Sequence, residues 1–203
     1  IIKAKIDLAD LYISKQKYNE GINLYIEVLK DYESMGNKVK IAHISLKLGT
    51  LYRYADRDMP SKESYEELKK VFIEYNDADG LAYTIYNLGI LEKDPLKQEA
   101  YFKEALAIQK KLVAQYPNEK TYLQHYSQFL NANRHFSEAL EVSNKIDSHL
   151  YSIFYLNNLG DEERLKGNYD KALNYFNQSL TLAKKHRLHI MLRNTYTNFG
   201  RIY

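Results

Sequence analysis

An all-α fold, an array of repeated helix–turn–helix hairpins, is what this sequence predicts, on three observations. The first is a small residue recurring behind a large apolar or aromatic one: Leu8-Ala9, Leu48-Gly49, Leu88-Gly89, Tyr126-Ser127, Leu159-Gly160 and Phe199-Gly200. The small residues stand at 9, 49, 89, 127, 160 and 200, so the steps are 40, 40, 38, 33 and 40 residues. A period in that range marks a repeat architecture. The second is that apolar residues fall at helical spacing on two stretches divided by a tight polar turn, the pattern of an antiparallel helical hairpin. The third is composition: 8 Gly and 3 Pro in 203 residues are too few for a loop-rich or fibrous chain, and 45% hydrophobic content is enough for a core.

Taken in order, the elements repeat one grammar. The first unit (2–37) has Tyr12 on its first helix, then Tyr18, Gly21, Tyr25 and Val28 on its second. The second (38–78) has Leu48-Gly49-Thr50-Leu51-Tyr52, a longer turn at Arg57-Asp58-Met59-Pro60-Ser61, and Ser64, Leu68 and Val71 in the second-helix positions. In the third (79–117), Lys93-Asp94-Pro95 makes the turn, with proline where a helix starts without losing a bond, followed by Phe102, Ala105, Leu106 and Ile108. The fourth (118–152) runs from Leu130 through Asn133-Arg134-His135 to Phe136, Ala139 and Leu140. The fifth (153–187) is the clearest. Leu156, Leu159 and Gly160 precede a break at Gly167-Asn168, and Tyr169, Ala172, Leu173, Phe176, Leu180 and Ala183 follow on one face. Gly160 and Ala172 lack bulk where the two helices should cross, and Phe176 should fill the groove between neighbouring units. A partial sixth unit (188–203) carries Phe199 and Ile202 on an uncovered apolar face.

These residues resemble the tetratricopeptide repeat: Leu-Gly and Tyr on an A helix, a turn, then Tyr, Ala, Phe or Tyr, and Ala on a B helix. The resemblance covers nearly the whole chain and is fullest in Leu159-Gly160, Gly167-Asn168-Tyr169, Ala172, Phe176 and Ser179. Glu92 and Glu163 depart from it at the A-helix aromatic, and no unit has the family's early tryptophan. It implies an α–α superhelix of about five and a half repeats. Four of the five steps exceed the commonest length of 34, and the surplus falls at Met35-Gly36-Asn37-Lys38, Asp77-Ala78-Asp79-Gly80 and His186-Arg187-Leu188. The helices should therefore be longer at the edges of the units. Long repeats of this kind are similar to those of kinesin light chains and of bacterial signalling proteins, including peptide-pheromone receptors and response-regulator phosphatases.

Several function classes drop out. Lys and Arg number 29 against 26 Asp and Glu, and the charges alternate, so there is no basic stripe for direct nucleic-acid binding. The absence of cysteine excludes disulfides, thiolate-bound zinc and thiol catalysis without choosing between cytoplasm and periplasm. No apolar run reaches the length of a membrane span. The chain starts at Ile1-Ile2 with no Met and stops midway through a sixth A helix, so we expect a piece of a longer protein.

His186 and His189 are three apart but lack a third ligand, and Asp77-Ala78-Asp79-Gly80 would put Tyr75 and Tyr86 at calcium-ligand positions, so it reads as a turn. Asp56 and Asp58 sit on a polar loop as capping residues. With no phosphate loop, HExxH or Gly-x-Ser-x-Gly present, we expect neither an enzyme nor a cofactor.

The resemblance implies instead a groove lined by the A helices and occupied by a protein or peptide. Its inward positions are Asp7 and Asp10; His43, Lys47, Thr50 and Arg53; Tyr83, Tyr86 and Asn87; Gln124, His125 and Gln128; Asn157, Asn158 and Asp161; Asn194, Thr197, Asn198 and Arg201. The second half is dense in amides, which carry donor and acceptor together and can pair with the main chain of an extended peptide. Asn before Leu-Gly is also common in the family where no ligand is known. Asp7 and Asp10 stand where chaperone-binding relatives need basic groups, which disfavours that sub-function. Tyr12, Tyr18, Tyr25, Tyr52, Tyr169 and Tyr203 take packing positions, whereas Tyr54, Tyr83 and Tyr86 are candidates for the inner surface. The leading expectation is the peptide-binding region of a larger bacterial regulator. The alternatives are a sensor arm on a transcription regulator or histidine kinase, and a homodimerising module.

Overall fold

A computed structural model describes residues 1–55 and 60–202, apart from the Ile190 side chain. Among them are eleven helices and no strand, so the all-α expectation holds. The order is α1 (Ile2–Ser14), α2 (Tyr18–Ser34), α3 (Lys38–Tyr54), α4 (Lys62–Glu74), α5 (Ala78–Leu91), α6 (Pro95–Gln115), α7 (Lys120–Ala132), α8 (Phe136–Lys145), α9 (His149–Leu165), α10 (Tyr169–Lys185) and α11 (His189–Gly200). Asp56, Asp58, Tyr203 and most of the turn at 57–61 lie outside the described residues. The chain divides into two compact units, Ile1–Ala105 and Leu106–Tyr203, with the division inside α6. In the first, each helix from α1 to α5 packs on the next; in the second, the same holds from α7 to α11.

One connection recurs at seven of the ten junctions. Three residues separate α1 from α2, and the middle one, Gln16, is left-handed with φ +61°. The same three-residue turn recurs with Gly36 (+65°), Asn76 (+53°), Arg134 (+62°), Asp147 (+55°), Gly167 (+80°) and Arg187 (+56°) at its centre. The amides after each helix fold back on its last carbonyls: Gln16 N–H donates to Ile13 O at 2.8 Å and Lys17 N–H to Tyr12 O at 2.9 Å. The junctions expected to hold surplus residues, at Gly36, Asn76 and Arg187, are therefore no longer than the turns inside hairpins. The extra length is helical, as α2, α3, α9 and α10 have 17 residues each.

Close crossings explain the small residues. A Cβ on Gly160 would fall on the ring of Phe176, which is fully buried and lies 5.7 Å from the Phe199 ring. Phe176 thus bridges its own A helix and the next one, as the sequence predicts. Gly49 meets Tyr65 in the same way, and here the expected register needs correcting. Tyr65 and Phe72 are the buried residues of α4, Leu68 and Val71 only flank them, and Ser64 is exposed. The Ser64 amide donates to the Oγ of the N-cap residue Ser61, which fixes the start of α4 one position away from the expected phase. Burial pushes the Tyr65 phenol up to about 12, and its hydroxyl finds no partner among the described residues.

Tyr25 is fully buried and Tyr12, Tyr18 and Tyr52 are half-buried, as expected of packing residues. Tyr169 is not: it is 54% exposed, because it is the first residue of α10 and the buried face starts one turn later at Ala172.

Candidate functional site

The A-helix positions fall into two sets, one in each compact unit. In the first unit, α1, α3 and α5 carry mostly paired groups. Lys47 Nζ donates to Asp10 Oδ1 at 2.7 Å and lies 4.6 Å from the Tyr25 ring centroid, while the Tyr25 hydroxyl donates to the same carboxylate oxygen at 2.7 Å. Burial, then this carboxylate, pushes the Tyr25 phenol well above its usual range. His43 Nε2 is 2.7 Å from Asp77 Oδ2, and Asp77 also caps α5 by accepting from Gly80 N–H at 2.9 Å. The bond from His43 holds the Asp77 carboxyl below its usual range against its burial. The Asp77–Gly80 segment is thus a helix N-terminus.

Further along, Arg53 stacks 5.3 Å from the Tyr54 centroid and hydrogen-bonds the Tyr86 hydroxyl. Burial raises the Tyr86 phenol, and the Arg53 cation opposes the shift. Tyr86 packs edge-on with Tyr83 at 6.2 Å, and Tyr54 is 58% exposed. The Thr50 hydroxyl donates back to Leu46 O at 3.3 Å. Asn87 is only 1% exposed and donates to Tyr83 O at 2.8 Å, with its Oδ1 buried and unpartnered. It does not line an open surface.

In the second unit, α7, α9 and α11 form a continuous polar face. Gln124 and Gln128 donate to the Tyr151 hydroxyl at 3.5 and 2.8 Å. Asn158 donates to Asn131 Oδ1 at 2.6 Å. Asp161 accepts from Arg164 at 2.9 Å and faces Arg201 at 3.6 Å, and Arg201 also donates to Asn198 at 3.3 Å. Asn194 is exposed. Asn157 belongs elsewhere: it is 7% exposed and donates to Thr195 Oγ1 at 3.2 Å. One residue turns a helix by about 100°, so Asn158 looks outward while Asn157 joins α9 to α11.

Sequence reasoning missed Tyr151, Phe154 and Asn131. It took only positions beside the Leu-Gly pair, whereas Tyr151, Phe154, Asn158 and Asp161 keep helical spacing along one side of α9. Phe154 is 45% exposed, an aromatic ring set among amides.

It also missed that His186 pairs with His149, with rings stacked 3.7 Å apart, while His189 is exposed. The His186 Nε2 is buried without a partner, and desolvation, then the nearby His149 and Lys185, lowers its pKa. Among the described residues no three His, Cys, Asp or Glu are grouped to hold a metal ion, and no helix is long and apolar enough to cross a membrane.

A sequence profile described as tetratricopeptide repeat matches residues 120–185, the stretch from α7 to α10. Two solved structures extend the likeness along the chain. A thermophilic tetratricopeptide-repeat protein of Thermus thermophilus superposes with a TM-score of 0.59 at 16% identity, covering 97% of this chain and 100% of that one. A signal-transduction ATPase of Pyrococcus horikoshii, with a tetratricopeptide-repeat sensor, gives 0.61 at 15% identity, covering 99% of this chain and 31% of that one. By that profile residues 120–185 are tetratricopeptide repeats, and the chain as a whole has the tetratricopeptide-repeat fold. No curated protein matches it in sequence. The tetratricopeptide repeat is in general a non-catalytic scaffold for protein–protein contacts.

Proposed function

We propose that the chain binds an extended protein segment along the face of α7, α9 and α11. Phe154 is the observation that carries this reading. A ring left 45% exposed on a folded helix offers an apolar anchor, and the surrounding Gln124, Gln128, Asn158, Asn194 and Asn198 offer donors and acceptors to a main chain that has none of its own satisfied. Asp161 and Arg201 complete the contact set, an ion pair exposed enough to exchange partners. In the first unit, Thr50, Arg53, Tyr83 and Tyr86 are proposed as a second contact surface, with Tyr54 beside them.

The repeats of the archaeal ATPase are named a sensor. We carry a comparable role to this chain: the recognition region of a larger bacterial regulator, with effector chemistry in flanking sequence. A helix-turn-helix or kinase segment in the full gene supports the sensor-arm form of this reading. A concentration-dependent dimer in sedimentation would favour self-association instead.

The binding reading is tested with peptides selected from a random display library against the whole chain, then measured by fluorescence anisotropy. Phe154→Ala and Asn158→Ala should each weaken the selected peptides by about tenfold, roughly 1.4 kcal/mol, without changing the helical circular dichroism. Unchanged affinity in both variants would move the site off this face.

A further inference from the structure

The second unit has another concavity, on a different surface, between α8 and α10. It is a cleft of about 860 Å³, and a length mismatch accompanies it. Helix α8 has 10 residues where α10 has 17. Counting from the equivalent buried Ala139 and Ala172, the last residue of α8, Lys145, is level with Gln178. Seven residues of α10, about 10 Å of helix, run on past it. Thr181, Leu182 and Lys185 belong to that overhang and line the cleft.

Its lining combines two chemistries. Leu140, Leu156, Leu173 and Leu182 supply the apolar part, and Asn144, Asn174, Asn177 and Gln178 supply a row of amides. Those amides have spare capacity. Gln178 Nε2 donates to Asn174 Oδ1 at 2.6 Å, and Ser152 donates to Asn144 Oδ1 at 2.8 Å. The Nδ2 groups of Asn144 and Asn174, the Gln178 Oε1 and the whole Asn177 amide make no hydrogen bond among the described residues. A helix satisfies its own main chain and would leave such a row idle, whereas an extended strand brings unpaired N–H and C=O groups to meet it.

The ends of the cleft set length and charge. Asp170 stands at one end of α10 and Lys185 at the other, about 22 Å apart along the helix. An extended chain covers that span in about seven residues, alternate ones facing the leucines.

We propose that this cleft binds an extended segment of about seven residues, apolar at alternate positions, with a basic residue toward Asp170 and an acidic one toward Lys185. The proposal is independent of the α7, α9 and α11 face. Heptapeptides of the form Lys-x-Leu-x-Leu-x-Glu, displayed on phage with the x positions randomised, are panned against the whole chain, and enriched sequences are measured as labelled peptides. The expected result is enrichment over a library with Ser in place of Leu. Thr181→Trp, which fills the cleft from an exposed position, should weaken binding at least tenfold, and so should Asn174→Ala combined with Asn177→Ala. Lys185→Glu should weaken it several-fold, and Phe154→Ala should leave it unchanged. No enrichment, bound peptides that turn helical, affinity indifferent to both cleft variants, or affinity lost with Phe154→Ala would each overturn the proposal.

Discussion

Adding one methyl group at Gly160 tests the packing logic at its tightest point. A Cβ there would lie 2.6 Å from Cδ1 and 2.9 Å from Cζ of Phe176, where carbon atoms attract best at about 3.5–4.0 Å. The ring would have to retreat by almost an ångström, but Phe176 is fully buried and backed by Phe199. Overpacking of this kind costs about 1–3 kcal/mol. Alanine also favours the helix over glycine by about 1 kcal/mol, so the net loss for Gly160→Ala should be about 0–2 kcal/mol, centred near 1. Gly200 is the control, because nothing lies within 4 Å of a Cβ built there. Gly200→Ala should raise stability by up to about 1 kcal/mol. For a chain of this size, 1 kcal/mol moves the melting temperature by about 2–4 °C, so far-UV circular dichroism melts should shift in opposite directions. Phe176→Leu should relieve the strain, making the double variant more stable than the summed single effects predict. If Gly160→Ala melts above the wild type, as Gly200→Ala should, the close crossing is not where we place it.

Asp77 is both a cap and a partner of His43, so Asp77→Ala should lose about 1–2 kcal/mol in urea unfolding at pH 7. Asp77→Asn keeps the cap and should lose less; equal losses would mean the histidine contact contributes all of it. The depressed pKa of His186 means that the unfolded chain takes up a proton which the folded chain refuses. Its stabilising contribution is therefore complete above about pH 6.5 and is lost as pH falls below that value. His186→Phe, which retains a ring to stack on His149, should flatten the fall in urea midpoint between pH 7 and 5. Asn157→Leu removes an unpaired buried carbonyl, and Thr195 keeps its bonds to Met191 O and Ser179. Stability should hold or rise by up to about 1 kcal/mol, with peptide affinity untouched, in contrast to Asn158→Ala.

The hairpins were legible because Gly160, Ala172 and Phe176 answer to one constraint, the close passage of two helices, and that constraint leaves a mark at fixed spacing. The phase of α4 was harder. Its start depends on Ser61 capping Ser64, a local contact that the repeat period does not set. For the candidate site, sequence located the right helices but could not divide neighbouring amides. Asn157 and Asn158 differ by one step of rotation, and only the position of α11 decides which one is buried. Asn87 stands just before Leu-Gly, as Asn158 does, yet it is enclosed, so the motif alone does not report exposure. The stacking of His149 on His186 joins two turns 37 residues apart in sequence, and no local pattern announces it.

The uniform turn has a consequence for how such an array can change size. Where a connection is fixed at three residues, as at seven junctions, length can vary only inside the helices it joins, and a single added residue would swing every later side chain of its helix by about 100°. From α1 to α10 the helices have 10, 13, 14, 17 or 21 residues; apart from the 14 residues of α5, these values are spaced by three or four, close to one full winding. The array therefore lengthens like a screw advanced by complete revolutions. Insertions of three, four or seven residues should be absorbed, while insertions of one or two should scramble the seam they interrupt.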